Sequence, residues 1–438
     1  MRCDVVIVGG GPAGMVLALL FARQGLSVTV LEAAHDFDRS FRGDTLHPAT
    51  LELMECLGLV GELLALDHTR ATSARFICDG HTTLLADFAA LGGRYPYLAV
   101  MGQAQFLGFL HRTLGQYPHA KVEFGARVTG LIELAGKVIG VRYRQGDGEL
   151  ELRASLSVGA DGRFSKVRAL SGLKLRRLSV GQDVLWFSLP RRPSDPCGSI
   201  DLYADAGHCL VTTDHGERWQ VGFSLCKGGY AQAREEGLEP IRTAVARAMP
   251  WLADRLSLLS DWKQLRLLSV EVSYLPRWSR PGLLIIGDAA HVISPIGGLG
   301  INMAVQDAVA AANLLTLPLK LGWLRPRHLA AVQRRRAWQV RVLQMQQVIE
   351  ERQVTDVTGR PQAHHLPMLL LRLIHRLPLL HRLPAYVTAY GLWPERLSRR
   401  WWQAGQHTGR PDRPAEPGDP AEPSRPAFRF SVRSFWPP

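Results

Sequence analysis

The strongest constraint on this chain is a glycine turn near its start, Gly9-Gly10-Gly11-Pro12-Ala13-Gly14. It follows the apolar, β-branched run Asp4–Val8 and leads into Pro12–Gln24, which has helical potential and is ended by Gly25. Ser27–Leu31 is a second apolar strand. Continuous apolar strands on either side of a helix mark a parallel sheet covered on both faces. The G-x-G-x-x-G spacing gives each glycine a task. Gly9 allows the tight turn, Gly11 lets a pyrophosphate approach the backbone, and Gly14 lets helix pack on strand. Pro12 and Ala13 complete the turn, and the helix start offers unpaired N–H groups and a positive dipole end. Glu32, at the end of the second strand, is placed to accept from a ribose hydroxyl. Together these residues predict a dinucleotide site.

Two further turns repeat the theme. Leu156–Ala160 is a strand that delivers Asp161-Gly162, and Leu283–Ile286 is a buried strand that delivers Gly287-Asp288. A carboxylate at the end of such a strand can accept from a sugar-alcohol hydroxyl, the role expected of Asp288. Downstream, Pro295-Ile-Gly-Gly-Leu-Gly-Ile301-Asn302 opens a long helix, and the Gly297–Gly300 loop adds a second set of backbone donors. NAD needs no second cradle, whereas FAD, with its ribityl chain and isoalloxazine, does.

Composition bounds the class. The 438 residues carry 52 basic and 39 acidic side chains, a formal +13, with 46% hydrophobic content, which excludes wholesale disorder. Lys320–Ala404 alone holds 15 basic and four acidic residues, and the body before it is nearly neutral. The excess is thus local, and it lacks the regular aromatic interleaving of a single-strand nucleic-acid surface. Six scattered cysteines without a C-x-x-C pair argue against a zinc ribbon, an iron–sulfur cluster or a dense disulfide framework, and no metal site is expected. They fit a reducing cytoplasm. No signal peptide or membrane span is evident.

The chain leaves the nucleotide domain and returns to it. Val184–Leu189, Ser199–Tyr203, Cys209–Thr213 and Trp219–Ser224 are strand candidates, and Ile241–Leu259 reads as a helix. The expected class is therefore α/β: a discontinuous Rossmann-like domain over 1–172 and 274–320, and a mainly antiparallel sheet domain inserted over 173–273. A basic helical region follows over 321–404, with Leu366–Leu383 as short helices, then a Pro-rich tail over 405–438 read as disordered.

The three motifs, in this order and spacing, resemble those of the class A flavoprotein monooxygenases, the para-hydroxybenzoate hydroxylase-like aromatic hydroxylases. The resemblance spans about Asp4–Leu315. It implies FAD as cofactor and NADPH or NADH as transient co-substrate, and a C4a-hydroperoxide of the flavin delivering one oxygen atom to an electron-rich substrate. Gly9, Gly11, Gly14 and Glu32 would bind the ADP part and Asp288 the ribityl chain. Pro295, Gly298, Gly300, Ile301 and Asn302 would lie against the ring, and Asp161 would serve FAD and the nicotinamide donor. Arg42 would contact FAD near its phosphates, and Gln103 would touch the cofactor.

No catalytic side chain is assigned, since the cofactor carries the chemistry. The inserted sheet is expected to supply the substrate wall, with Trp186, Tyr203, His208, Trp219 and Phe223 as candidates facing an aromatic or hydrophobic small molecule. His291 lies beside the ring loop as a candidate proton relay. A reductase acting on an isoprenoid or lipid is the alternative chemistry, and a non-enzyme FAD or lipid carrier the alternative class. The basic region reads as a cap over the flavin domain, with peripheral contact to an anionic membrane as the alternative.

Overall fold

A computed structural model describes residues 2–37, 44–179, 182–205, 207–359 and 378–398. Strand Arg2–Val8 pairs in parallel with Val28–Leu31 on one side and with Gly148–Gly159 on the other. Val28–Leu31 pairs in parallel with Ala120–Glu123, and Gly148–Gly159 with Leu283–Ile285. Register matters more than order here. Val8 stands opposite Leu31 and Gly159, and Gly159 opposite Ile285. Four carboxyl ends are therefore level, and they release the glycine turn, Glu32, Asp161-Gly162 and Gly287-Asp288. Ligands in open α/β sheets bind outside those ends.

The expected helices form. Pro12–Arg23 is buried along nearly its whole length, and Leu299–Lys320 packs against it. That explains the apolar run on every side of both helices, because each lies between the sheet and another layer.

The second sheet has seven strands in the order Arg266–Ser269, Asp183–Pro190, Arg218–Leu225, His208–Asp214, Ser199–Asp205, Ser73–Cys78, His81–Asp87. Two strands come from Ser73–Asp87, far ahead of the expected insert. Ser199–Asp205 pairs with Ser73–Cys78 in parallel, so the sheet is mixed. The sequence hid this hairpin because its residues are half-buried and show no clean alternation. The helix expected over Ile241–Leu259 is Glu239–Ala248 followed by a 3-10 segment Pro250–Leu258. Pro250 lacks the N–H that would continue the α-helix.

Helix Pro326–Gly359 lies along Leu299–Lys320, and Pro378–Tyr390 forms a further helix. Most of the Leu366–Leu383 stretch and all of the 405–438 tail lie outside the described residues. The segment after Pro378 is stitched to the long helix. Gln306 Nε2 donates to Tyr390 O at 2.9 Å, and Asn313 Nδ2 to Arg396 O at 2.9 Å. Among the described residues no helix is long and apolar enough to cross a membrane.

Candidate functional site

One cavity of about 2130 Å³ runs from the glycine turn to the inner face of the seven-stranded sheet. At its cofactor end Gly9 has φ +104°, and a Cβ there would stand 2.5 Å from Ala160 O. A Cβ on Gly14 would stand 2.0 Å from Gly9 O, so that glycine seats the helix on the strand. Gly11 differs: a Cβ would meet nothing within 4 Å, and the residue lines the cavity with Pro12 and Ala13. No side chain caps this helix start. Its N–H groups are left for a ligand.

Glu32 is buried at the cavity wall, and two backbone donors fix its carboxylate. Gly10 N–H reaches Oε2 at 2.7 Å and Ala34 N–H reaches Oε1 at 2.9 Å.

Asp161 lines the cavity, and its carboxylate also holds the local turn. It accepts from Ser165 Oγ at 2.5 Å and from Val167 N at 3.0 Å. Burial pushes its pKa above the usual carboxylate value despite those bonds. Arg168 ties this turn to the next motif, donating to Arg163 O at 2.6 Å and to Ala289 O at 2.8 Å.

Asp288 lines the wall in front of a buried charge cluster. Asp307 accepts from Gly287 N at 3.0 Å, lies 2.6 Å from His291 Nε2, and accepts from Arg336 Nε at 2.9 Å. Burial alone would raise the Asp307 pKa. The His291 and Arg336 contacts outweigh it and hold the carboxyl below its usual range. His291 is 1% exposed and absent from the cavity wall, so the structure places it as a support of the Gly-Asp turn rather than on a proton path to the ring loop.

Pro295, Gly298, Gly300 and Ile301 line the cavity, as does Gln103 at the first turn of helix Gln103–Leu114. A Cβ on Gly300 would meet nothing within 4 Å. Asn302 is buried behind the loop, and its Nδ2 has no hydrogen-bond partner among the described residues. Arg42 lies outside the described residues.

Of the five aromatic and histidine candidates for the substrate wall, Trp186 and His208 line the cavity. Tyr203, Trp219 and Phe223 do not. They point to the opposite face and join Leu185, Val221 and Ile241 in a separate core. Side chains alternate across a strand, and Leu202, Gln220, Gly222 and Ser224 take the cavity face. Burial of Tyr203 raises its phenol pKa to about 12.

His47, five residues beyond Arg42, carries no local sequence signal of its role. Its ring is buried, with Nδ1 2.7 Å from Thr388 O and Nε2 3.1 Å from Gly298 O. It joins the ring loop to the C-terminal helix, whose Pro384, Val387 and Thr388 line the cavity. Burial outweighs the two carbonyls and lowers its pKa.

The family described as an FAD binding domain matches residues 2–346. The chain is 35% identical over 386 residues to 6-methylpretetramide 4-monooxygenase of Streptomyces rimosus, covering 87% of this chain and 90% of that protein. Pentachlorophenol 4-monooxygenase of Sphingobium chlorophenolicum is 26% identical over 318 residues, 69% of this chain and 56% of its own length. Among solved structures, OxyS anhydrotetracycline hydroxylase of Streptomyces rimosus matches with TM-score 0.72 at 23% identity, covering 89% of this chain and 76% of that one. P. aeruginosa PqsL in complex with 2-aminobenzoylacetate matches with TM-score 0.71 at 24% identity, covering 81% and 97%. These last two show the shared α/β FAD-binding fold. The chain belongs to the FAD binding domain family of class A flavoprotein monooxygenases, FAD-dependent aromatic hydroxylases that use NAD(P)H as electron donor.

Proposed function

We propose that this monooxygenase hydroxylates a flat, fused-ring aromatic compound held between the seven-stranded sheet and the C-terminal helix. The size of the cavity carries this reading. Ordinary small-molecule sites run to roughly 300–1,000 Å³, so about 2130 Å³ leaves room for several fused rings beside a dinucleotide. The relative named for 6-methylpretetramide supports the same class of substrate.

The residues fit FAD. Gly11 and Gly300 leave open space where a side chain would stand, and the buried Asn302 Nδ2 offers a donor at the ring loop. In this reading Gly9, Gly11, Pro12, Ala13, Gly14 and Glu32 hold the ADP part, with Arg42 near the phosphates. Asp288 holds the ribityl chain, and Pro295, Gly298, Gly300, Ile301 and Asn302 hold the ring. Gln103 and Asp161 complete the cofactor wall. Held there, FAD would supply the redox chemistry between NAD(P)H and dioxygen.

The protein's part is to orient the substrate and keep water out. Leu202, Leu210, Val387 and Leu392 give that end of the cavity an apolar lining. Residues 173–273 together with 73–87 then form the substrate half, and 2–172 with 274–320 most of the cofactor half. The basic region acts as a cap. Arg336 is buried on Asp307, so part of the region's charge is spent inside the fold rather than on a membrane-facing surface.

The test is direct. Purified protein should be yellow, and 6-methylpretetramide should accelerate NADPH oxidation with oxygen-18 from dioxygen in the product. A reduced product without label would favour the reductase, and a protein that stays colourless with added FAD would end the FAD assignments.

A further inference from the structure

The inner face of the seven-stranded sheet is built in rows. Residues opposed on neighbouring strands share a face, and the next row on that face begins two residues further on. The middle row is Trp186, Gly222, Val211, Leu202 and Phe76, each opposite the next, and all five line the cavity. It is apolar across five strands. On one side of Gly222 and Val211 stand Gln220 and Thr213, opposite each other, and on the other side stand Ser224 and Cys209. These four also line the cavity.

The polar side chains keep hydrogen-bonding capacity. Thr213 is 8% exposed, and its hydroxyl has no hydrogen-bond partner among the described residues. Ser224 Oγ accepts from Cys209 N at 2.8 Å, which leaves its own proton to donate. Gln220 carries both donor and acceptor. Positions 220 and 224 are about 13 Å apart along the strand. An apolar floor thus has a polar border on each side. None of these residues is charged, so the borders suit neutral oxygens rather than an ion. The Gln220–Thr213 border is the one toward the ring loop. Asp214 O, next to Thr213, accepts from Thr69, and Thr69 and Thr45 both stand opposite Val100. The Thr45 hydroxyl lies 3.5 Å from Gly298 O.

Gly222 explains the floor. Its φ is not in the left-handed region, so glycine serves here for room alone. A Cβ would stand 2.7 Å from Val211 Cγ1 and 3.0 Å from Trp186 Cζ3. The six-membered ring of Trp186 therefore rests on bare backbone, and a larger residue would drive it up into the cavity.

We propose that Gly222 is a specificity-determining residue that opens the slot by seating Trp186. Gln220 and Thr213 on one border and Ser224 on the other then select a fused-ring substrate with hydroxyl or carbonyl oxygens on both long edges. The edge read by Gln220 and Thr213 is the edge turned toward the ring loop.

This rests on the fused-ring reading above, and the experiment separates the two. Holoenzyme is titrated with 1-naphthol, which has oxygen on one long edge, with 4-methoxy-1-naphthol, which has it on both, and with 6-methylpretetramide. Kd is read from the change in flavin absorbance. Wild type should bind the methoxy compound more tightly than 1-naphthol by about 3–10-fold, the worth of one hydrogen bond. Gln220→Leu combined with Thr213→Val should bind the two equally. Gly222 is tested in a Val211→Ala background, which removes the other methyl that a Cβ would meet. There Gly222→Ala should weaken 6-methylpretetramide about 10-fold, yet cost nothing further once Trp186→Ala is present. Three results would each overturn the inference and leave the substrate reading standing. They are equal binding of the two naphthols by wild type, a preference that survives Gln220→Leu with Thr213→Val, and a Gly222→Ala loss that is the same with and without Trp186. If wild type binds none of the three probes, the fused-ring reading falls and the inference falls with it.

Discussion

At the residue scale the cofactor cradle is fixed by single atoms. Gly9→Ala would place a methyl 2.5 Å from a backbone oxygen at φ +104°, where L side chains carry strain of about 1–3 kcal/mol. The variant is expected to purify without FAD, read from the loss of flavin absorbance. Asp307 makes a second case. Asp307→Asn leaves Arg336 buried without its counter-charge and should cost about 3–5 kcal/mol in unfolding free energy. The wild-type carboxyl is held below its usual pKa, so its contribution is complete above about pH 4 and is lost as pH falls through the lower folded value. Urea unfolding from pH 7 down to pH 3 should show the difference between wild type and Asp307→Asn shrinking with acid; a constant difference would count against the charge cluster. Gly9, Glu32 and Asp288 were legible because a glycine or an acid at a strand end is a local signal. Asp307 and His47 were not, because each is defined by partners dozens to hundreds of residues away.

At the element scale the sequence located strands but not which face they present. Tyr203, Trp219 and Phe223 are aromatics on strands that line the cavity, yet all three point to the other side. Replacing Phe223 by Ala should therefore cost about 3–5 kcal/mol of stability and leave substrate KM near wild type, whereas Trp186→Ala should raise KM with little change in thermal midpoint. Paired melting curves and steady-state kinetics separate the two. The place of the Ser73–Asp87 hairpin in this sheet escaped notice for a related reason: its Asp79-Gly80 turn is a local signal, but the parallel pairing of Ser73–Cys78 with Ser199–Asp205 crosses a connection too long to leave one. His47→Leu removes both carbonyl contacts and should make the Pro378–Tyr390 helix more open to limited proteolysis, with cleavage faster than in wild type.

At the scale of the whole molecule, function depends on closing one cavity with pieces from distant parts of the chain. Residues 378–398 supply one wall, fastened through Gln306, Asn313 and Tyr390, whose hydroxyl donates to Glu52 at 3.0 Å. Ending the chain at residue 377 should leave FAD binding in place and raise the fraction of NADPH electrons lost to free hydrogen peroxide, measured as peroxide formed per labelled product. By itself the sequence determined the parallel sheet, its three carboxyl-end motifs and the FAD-binding family they belong to. Those follow from backbone conformation and hydrogen bonding over a few residues, which side-chain type dictates locally. Only the tertiary structure decided which aromatics face the substrate, where the basic segment spends its charge and which acid meets which histidine. Those depend on register and packing between segments remote in sequence, and no local pattern of residues encodes them.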